Sequence, residues 1–183
     1  MKKNISGVAV ECISGDIAAQ ENIDAVVNAA NAQLRPGGGV AGAIHRVAGP
    51  GLDQECRPLA PIKPGEAVIT GGHNLPNRHV IHCLGPVYGV DEPSAKLLAD
   101  CYRNALKLAD RQGLSSIAFP SLSTGAFGYP MEEAAAVAMK SVLKTIPELK
   151  TVTLIRFVLF GQGALDIHEK ALAFSCSEME NGW

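Results

Sequence analysis

The chain has 183 residues, 47% of them hydrophobic and 19% charged, which suffices for one domain with a full core and excludes a disordered segment. Sixteen Lys and Arg against 18 Asp and Glu leave a formal net charge of −2, and the cations stand in ones and twos, so no basic face for non-specific nucleic-acid binding is expected. No apolar run reaches the ~18 residues of a membrane span, and the opening MKKNISGVAVECISGD meets Ser, Gly and Glu before any signal-peptide core forms. Five widely spaced cysteines without a CxxC pair fit a reducing compartment, and the expected location is cytoplasmic.

In chain order, the first strand signals are VAVECI at 8–13 and DAVVN at 24–28. A helical pattern covers 40–48, and the following AGPGLDQECRPLAPIKPGE, rich in Pro and Gly, reads as loop. Strands are expected at 66–70, 79–84, 115–119 and 151–160, and helices at 95–111, 131–145 and 164–174. The tail SCSEMENGW is expected to be loosely ordered. Several strands are apolar on both faces, as in sheets covered by helices on each side. The pattern predicts one α/β domain over 1–183 with its core at about 8–174, a three-layer α/β/α sandwich around a mixed central sheet.

Ligands of open α/β sheets settle outside the carboxyl ends of the strands. Two loops in that position are rich in glycine: Gly37-Gly38-Gly39-Val40 after the NAAN of 28–31, and Ser121 to Gly128 after SSIAFP. Each follows a strand and runs toward a helix, so each can present peptide N–H groups backed by a helix N-terminus. A single such loop is also explained as a tight connection needing glycine's positive φ, but two side by side suit a diphosphate. Arg35 is the one basic side chain in either loop region, so backbone dipoles and hydroxyls would meet most of the anionic charge.

Competing chemistries match less well. Gly37-x-Gly39-x-x-Gly42 fits the dinucleotide fingerprint of an oxidoreductase, but no strand ending in an acidic residue follows its helix, and Glu66 begins a strand instead. No GxSxG is present, which argues against a nucleophile-elbow hydrolase. His79 and His82 would face opposite ways on one strand and no second cluster completes a metal site, so neither metal nor cofactor is expected.

The segments GDI at 15–17, DAVVNAAN at 24–31, GGGVAGAIHRVAG at 37–49, GEAVITGG at 65–72, HVIHCLGP at 79–86 and IAFPSLSTGAFGYP at 117–130 together resemble a macrodomain, the ADP-ribose-binding module, over roughly 8–174. The resemblance implies that Asp16 accepts a hydrogen bond from the adenine amino group beside Ile17; a helix N-cap is the structural alternative for Asp16. It implies a diphosphate held by the main-chain N–H groups of Gly37, Gly38, Gly39 and Val40 and of Ser123, Thr124, Gly125 and Ala126. It places the distal ribose against Asn31 and Phe127. Phe160 would lie near the adenine or serve the core, and Asn28 would bind ligand or satisfy backbone groups at the strand end.

Within the family the sequence looks closest to the branch that removes mono-ADP-ribose from acidic side chains, with O-acetyl-ADP-ribose as a further expected substrate and ADP-ribose or an ADP-ribosylated protein as partner. The implied reaction is attack of water at the anomeric carbon of the distal ribose, helped by a diphosphate oxygen of the substrate, with Asn31 and His45 as the catalytic candidates. His45 stands one turn after position 41, with a core-edge histidine as its alternative. One departure is Ala41, where many members of that branch carry an aspartate. A non-catalytic ADP-ribose reader is the second expectation, favoured by Ala41, and an NAD-dependent oxidoreductase a weaker third.

Overall fold

A computed structural model of the chain describes residues 1–183. Seven strands form one sheet: β1 (Lys2–Ile5), β2 (Val8–Ser14), β3 (Ala25–Ala29), β4 (Ala67–Gly71), β5 (His79–Cys83), β6 (Ser116–Phe119) and β7 (Leu154–Leu159). Their order across the sheet is β1-β2-β7-β6-β3-β5-β4. The five inner strands run parallel and the edges β1 and β4 antiparallel, so all five inner carboxyl ends open on one side of the molecule.

Five helices connect them: α1 (Gly39–Ala48), α2 (Pro50–Cys56), α3 (Ser94–Arg111), α4 (Met131–Thr145) and α5 (Gln162–Glu180). The strand period of two divides the buried residues between the two faces. Ala25, Val27, Ile81, Ile117, Phe119, Ile155 and Phe157 point into a core shared with α3, α4 and α5, closed by Tyr102 and Leu106. Val26, Val80, Ala118 and Val158 point the other way, against Ile44, Leu52 and Cys56 of α1 and α2. The expected sandwich with a mixed sheet is therefore the observed one. No helix is long and apolar enough to cross a membrane.

Three expectations need correction. The 48–66 segment is not all loop: α2 occupies Pro50–Cys56, its first-turn proline lacking only an N–H that has no partner there, and Leu52 and Cys56 are buried. The last strand starts at Leu154 and stops at Leu159. The tail does not loosen at 175; α5 continues to Glu180, and Trp183 sits under the Nζ of Lys140 and Lys144 at 5.9 and 5.3 Å from its ring centroid.

Candidate functional site

A cleft of about 350 Å³ opens at the carboxyl ends of β3, β5 and β6. Asn31, Gly37, Gly38, Gly39, Val40 and Ala41 form one wall; Ser121, Leu122, Ser123, Gly125, Ala126 and Phe127 form the other, with Gly85 from the β5 end. The two glycine-containing loops are thus brought face to face, because β3 and β6 are neighbours in the sheet.

The first wall is the start of α1. No protein acceptor takes the N–H groups of Gly37 through Ala41, the first turn carries no acidic side chain, and no side chain caps it. The partial positive charge of the helix end is therefore free for a ligand. Glycine is required here by contact: a Cβ on Gly42 would run into the carbonyl oxygen of Gly37. Asn31 ties the loop together, its Nδ2 donating to the Arg35 carbonyl at 2.8 Å and its Oδ1 accepting from the Arg35 N–H at 2.9 Å. One Nδ2 hydrogen and one Oδ1 lone pair are left for a ligand.

The second wall differs from the expectation of a helix terminus. α4 begins only at Met131, and Glu132 and Glu133 already occupy its first turn. The loop acts by its own curvature instead: Ser123 is left-handed at φ 66°, Tyr129 N–H bonds back to the Ser123 carbonyl at 2.9 Å, and the N–H groups of Ser123 through Phe127 have no protein acceptor. Successive free N–H groups around a left-handed residue are the makings of an anion-binding nest. Thr124 shapes the turn, its Oγ1 donating toward the Ser121 carbonyl at 3.1 Å, and it is outside the cleft lining. Gly85 leaves room for the Ser123 hydroxyl, which a Cβ there would strike.

No ionisable side chain lines this cleft. Arg35 pairs instead with Asp53 at 2.9 Å and is outside the lining. His45 does not reach the cleft either. It does lie on the Ala41 face of α1, but one turn deeper, 6% exposed, with neither ring nitrogen hydrogen-bonded; burial holds it below the usual histidine range, against a smaller opposing pull from Asp53. Asn28 points to the same helical layer, 1% exposed, and its Nδ2 meets His82 Nδ1 at 3.0 Å. Since the Thr70 hydroxyl donates to the Gly71 carbonyl and also contacts His82 Nε2 at 2.9 Å, Nε2 carries the ring proton and Nδ1 accepts from Asn28. Asn28 is therefore held in the sheet below the cleft rather than in it, the period of two placing it beneath α1.

Asp16, Ile17 and Phe160 also stand outside the cleft lining, at the ends of the adjacent strands β2 and β7. Asp16 caps a turn rather than a helix, its Oδ1 accepting from the Ala18 N–H at 2.9 Å, which leaves Oδ2 free. Ile17 is buried under it. Phe160 is 96% exposed, which removes the core alternative and leaves a bare aromatic ring one strand from Asp16.

A larger groove of about 520 Å³ lies between α3 and α4, lined by Lys96, Asp100, Arg103, Lys140, Lys144 and Glu148. It runs along mid-helix surfaces whose peptide groups are spent on helix bonds; Lys96 and Arg103 pair with Asp100 there, and Lys140 and Lys144 stand over the Trp183 ring. The cleft between the loops is the one that presents free peptide N–H groups.

Fold and cleft together define an α/β/α domain with two rows of unaccepted main-chain amides at the carboxyl edge of its sheet. Residues 27–138 match the family model described as Macro domain. The fold superimposes on the Oceanobacillus iheyensis macrodomain with ADP at a TM-score of 0.93 and 40% identity, covering 97% of each chain. It superimposes on the Trypanosoma brucei macrodomain in complex with ADP-ribose at 0.83 and 38%, covering 89% of this chain and 68% of that one. A Klebsiella pneumoniae protein named O-acetyl-ADP-ribose deacetylase is 44% identical over 91% of this chain and 97% of its own. The chain belongs to the macrodomain family.

Proposed function

We propose that the protein binds ADP-ribose and hydrolyses mono-ADP-ribosyl esters on acidic side chains, O-acetyl-ADP-ribose, or both. The observation that carries this reading is the pair of facing loops whose peptide N–H groups, Gly37–Ala41 and Ser123–Phe127, have no acceptor in the protein. A diphosphate supplies acceptors for both rows at once. The cleft takes the diphosphate and distal ribose, while the adenine lies over the β2 and β7 ends, with its amino group toward Asp16 and its ring beside Phe160. The Klebsiella relative's name and the ligands of the two solved structures support the same ligand class.

In the reaction, Asn31 holds the distal ribose with its remaining amide valences and Phe127 closes one side of the sugar. For an acyl group on the anomeric oxygen, a water attacks the anomeric carbon, the bond from that carbon to the ester oxygen breaks, and the carboxylate, a Glu or Asp side chain or acetate, leaves with the bonding electrons through an oxocarbenium-like transition state. With no titratable side chain in the cleft, the water's proton passes to a diphosphate oxygen of the substrate and then to solvent. The protein contributes orientation and a preorganised field of N–H dipoles.

The second reading is a reader that binds ADP-ribose without chemistry, and Ala41 in the cleft wall favours it, since no carboxylate stands there to orient water. The test is release of label from a protein mono-ADP-ribosylated on Glu or Asp. Turnover by the wild type that Asn31→Ala abolishes supports the hydrolase; no release at high enzyme concentration, with ADP-ribose binding intact, leaves the reader. NAD binding more tightly than ADP-ribose would overturn both.

A further inference from the structure

The strand order sets which segment lies beyond the sugar. With the adenine at β2 and β7 and the diphosphate between the β3 and β6 loops, the next carboxyl end in line is that of β5, and its loop, 84–93, starts inside the cleft at Gly85. The loop is fastened to the phosphate-side wall, Tyr88 N–H donating to the Phe127 carbonyl at 2.9 Å. It is braced on itself by Val87 N–H to Asp91 Oδ2 at 2.8 Å and by the Ser94 hydroxyl to the Asp91 carbonyl at 2.6 Å. A fastened loop that ends the ligand groove is a built surface.

Its outer face is apolar and acidic. Val90 is 72% and Tyr88 42% exposed, and the Tyr88 ring rests on Tyr129 at 4.7 Å between centroids while its hydroxyl donates to Glu133 at 3.2 Å. Asp91, Glu92, Glu132 and Glu133 all lie in this region, and none forms an ion pair. The nearest cation along α3, Lys96, is committed to Asp100 at 2.8 Å.

We propose that the 84–93 loop, together with Glu133, seats the polypeptide that carries the ADP-ribosyl group, and that it prefers acceptors with Lys or Arg beside the modified side chain. The proposal rests on the ADP-ribose reading above. Val90 and Tyr88 pack against the acceptor chain as it leaves the distal ribose, and the unpaired carboxylates meet its cations. Selection thus comes from a surface that free ADP-ribose never touches.

The test is calorimetry on the whole chain with three probes: free ADP-ribose, and two peptides joined to ADP-ribose by a non-hydrolysable linkage, one flanked by Lys and one by Gln. The wild type is expected to bind the Lys peptide about three- to tenfold more tightly than the Gln peptide, the range for two exposed ion pairs, with the difference shrinking in 0.5 M salt, on the order of a 4 Å Debye length. The double variant Glu92→Gln, Glu133→Gln keeps an acceptor for Ser94 N–H and for Tyr88; it should reduce the difference at least twofold and leave the ADP-ribose affinity unchanged. Equal binding of the two peptides by the wild type, with ADP-ribose bound normally, overturns the acceptor seat alone. Failure of ADP-ribose itself to bind overturns the site reading with it.

Discussion

At the scale of single residues the cleft works by what it omits. Its only polar side chains are Asn31, Ser121 and Ser123, so no residue there can act as a general base near neutral pH. His45→Gln should accordingly leave hydrolysis of a mono-ADP-ribosylated substrate within about twofold of wild type, since removal of a true general base costs on the order of a hundredfold or more; a loss of that size would return His45 to the mechanism. Ala41→Asp tests the converse. A carboxylate introduced into the wall beside Asn31 should speed release if water orientation limits the rate, and an unchanged single-turnover rate would show that the substrate's own diphosphate already suffices. The depth of His45 and the side of the sheet that Asn28 faces were not legible from spacing, because an i, i+4 relation fixes the face of a helix but not the depth, and a strand's alternation decides the side only once its neighbours are known.

At the scale of elements, the proposed site rests on the start of α1. The helix is entered through three glycines with no side-chain cap, a weak start in isolation that leaves its N–H groups exposed. Gly42→Ala pushes a methyl against the Gly37 carbonyl and should tilt that row of donors. ADP-ribose affinity is expected to fall at least tenfold, about 1.4 kcal/mol, with the circular dichroism spectrum preserved; unchanged affinity would mean that the first loop contributes little. The glycine loops and the long amphipathic helices were legible because periodicity and punctuation agree there. α2 was hidden by Pro50, Gly51 and Pro58 around only seven residues. β1 was hidden because KKNI is polar and exposed except for Ile5, an edge strand held by pairing with β2 rather than by burial. The helix termini behind both loops were half right: the motif shows that a helix follows, not how soon it starts.

At the scale of the whole molecule, histidines buried in both helical layers tie stability to pH. His82 is fully buried, and desolvation pushes its pKa down to about 3; His45 and His168 are lowered by the same cause. In the unfolded chain these rings titrate near 6.5, so the unfolded state binds protons that the folded state refuses. Stability is then fullest above about pH 6.5 and is lost as pH falls toward the depressed values. Between pH 7 and pH 5, His82 alone should cost about 2 kcal/mol of unfolding free energy, read from urea titrations at the two pH values. His82→Gln should flatten that slope, and equal stability of the wild type at both values would contradict the neutral buried ring.

The most direct measurement for the two-loop clamp is a ¹⁵N–¹H correlation titration with ADP-ribose, because it reads the peptide groups themselves. The largest shifts are expected at the amides of Gly37 through Ala41 and Ser123 through Phe127, with a second, smaller set at Asp16, Ile17 and Phe160. Saturation of the protein with those two rows unmoved, or with the main shifts in the groove between α3 and α4, would contradict it.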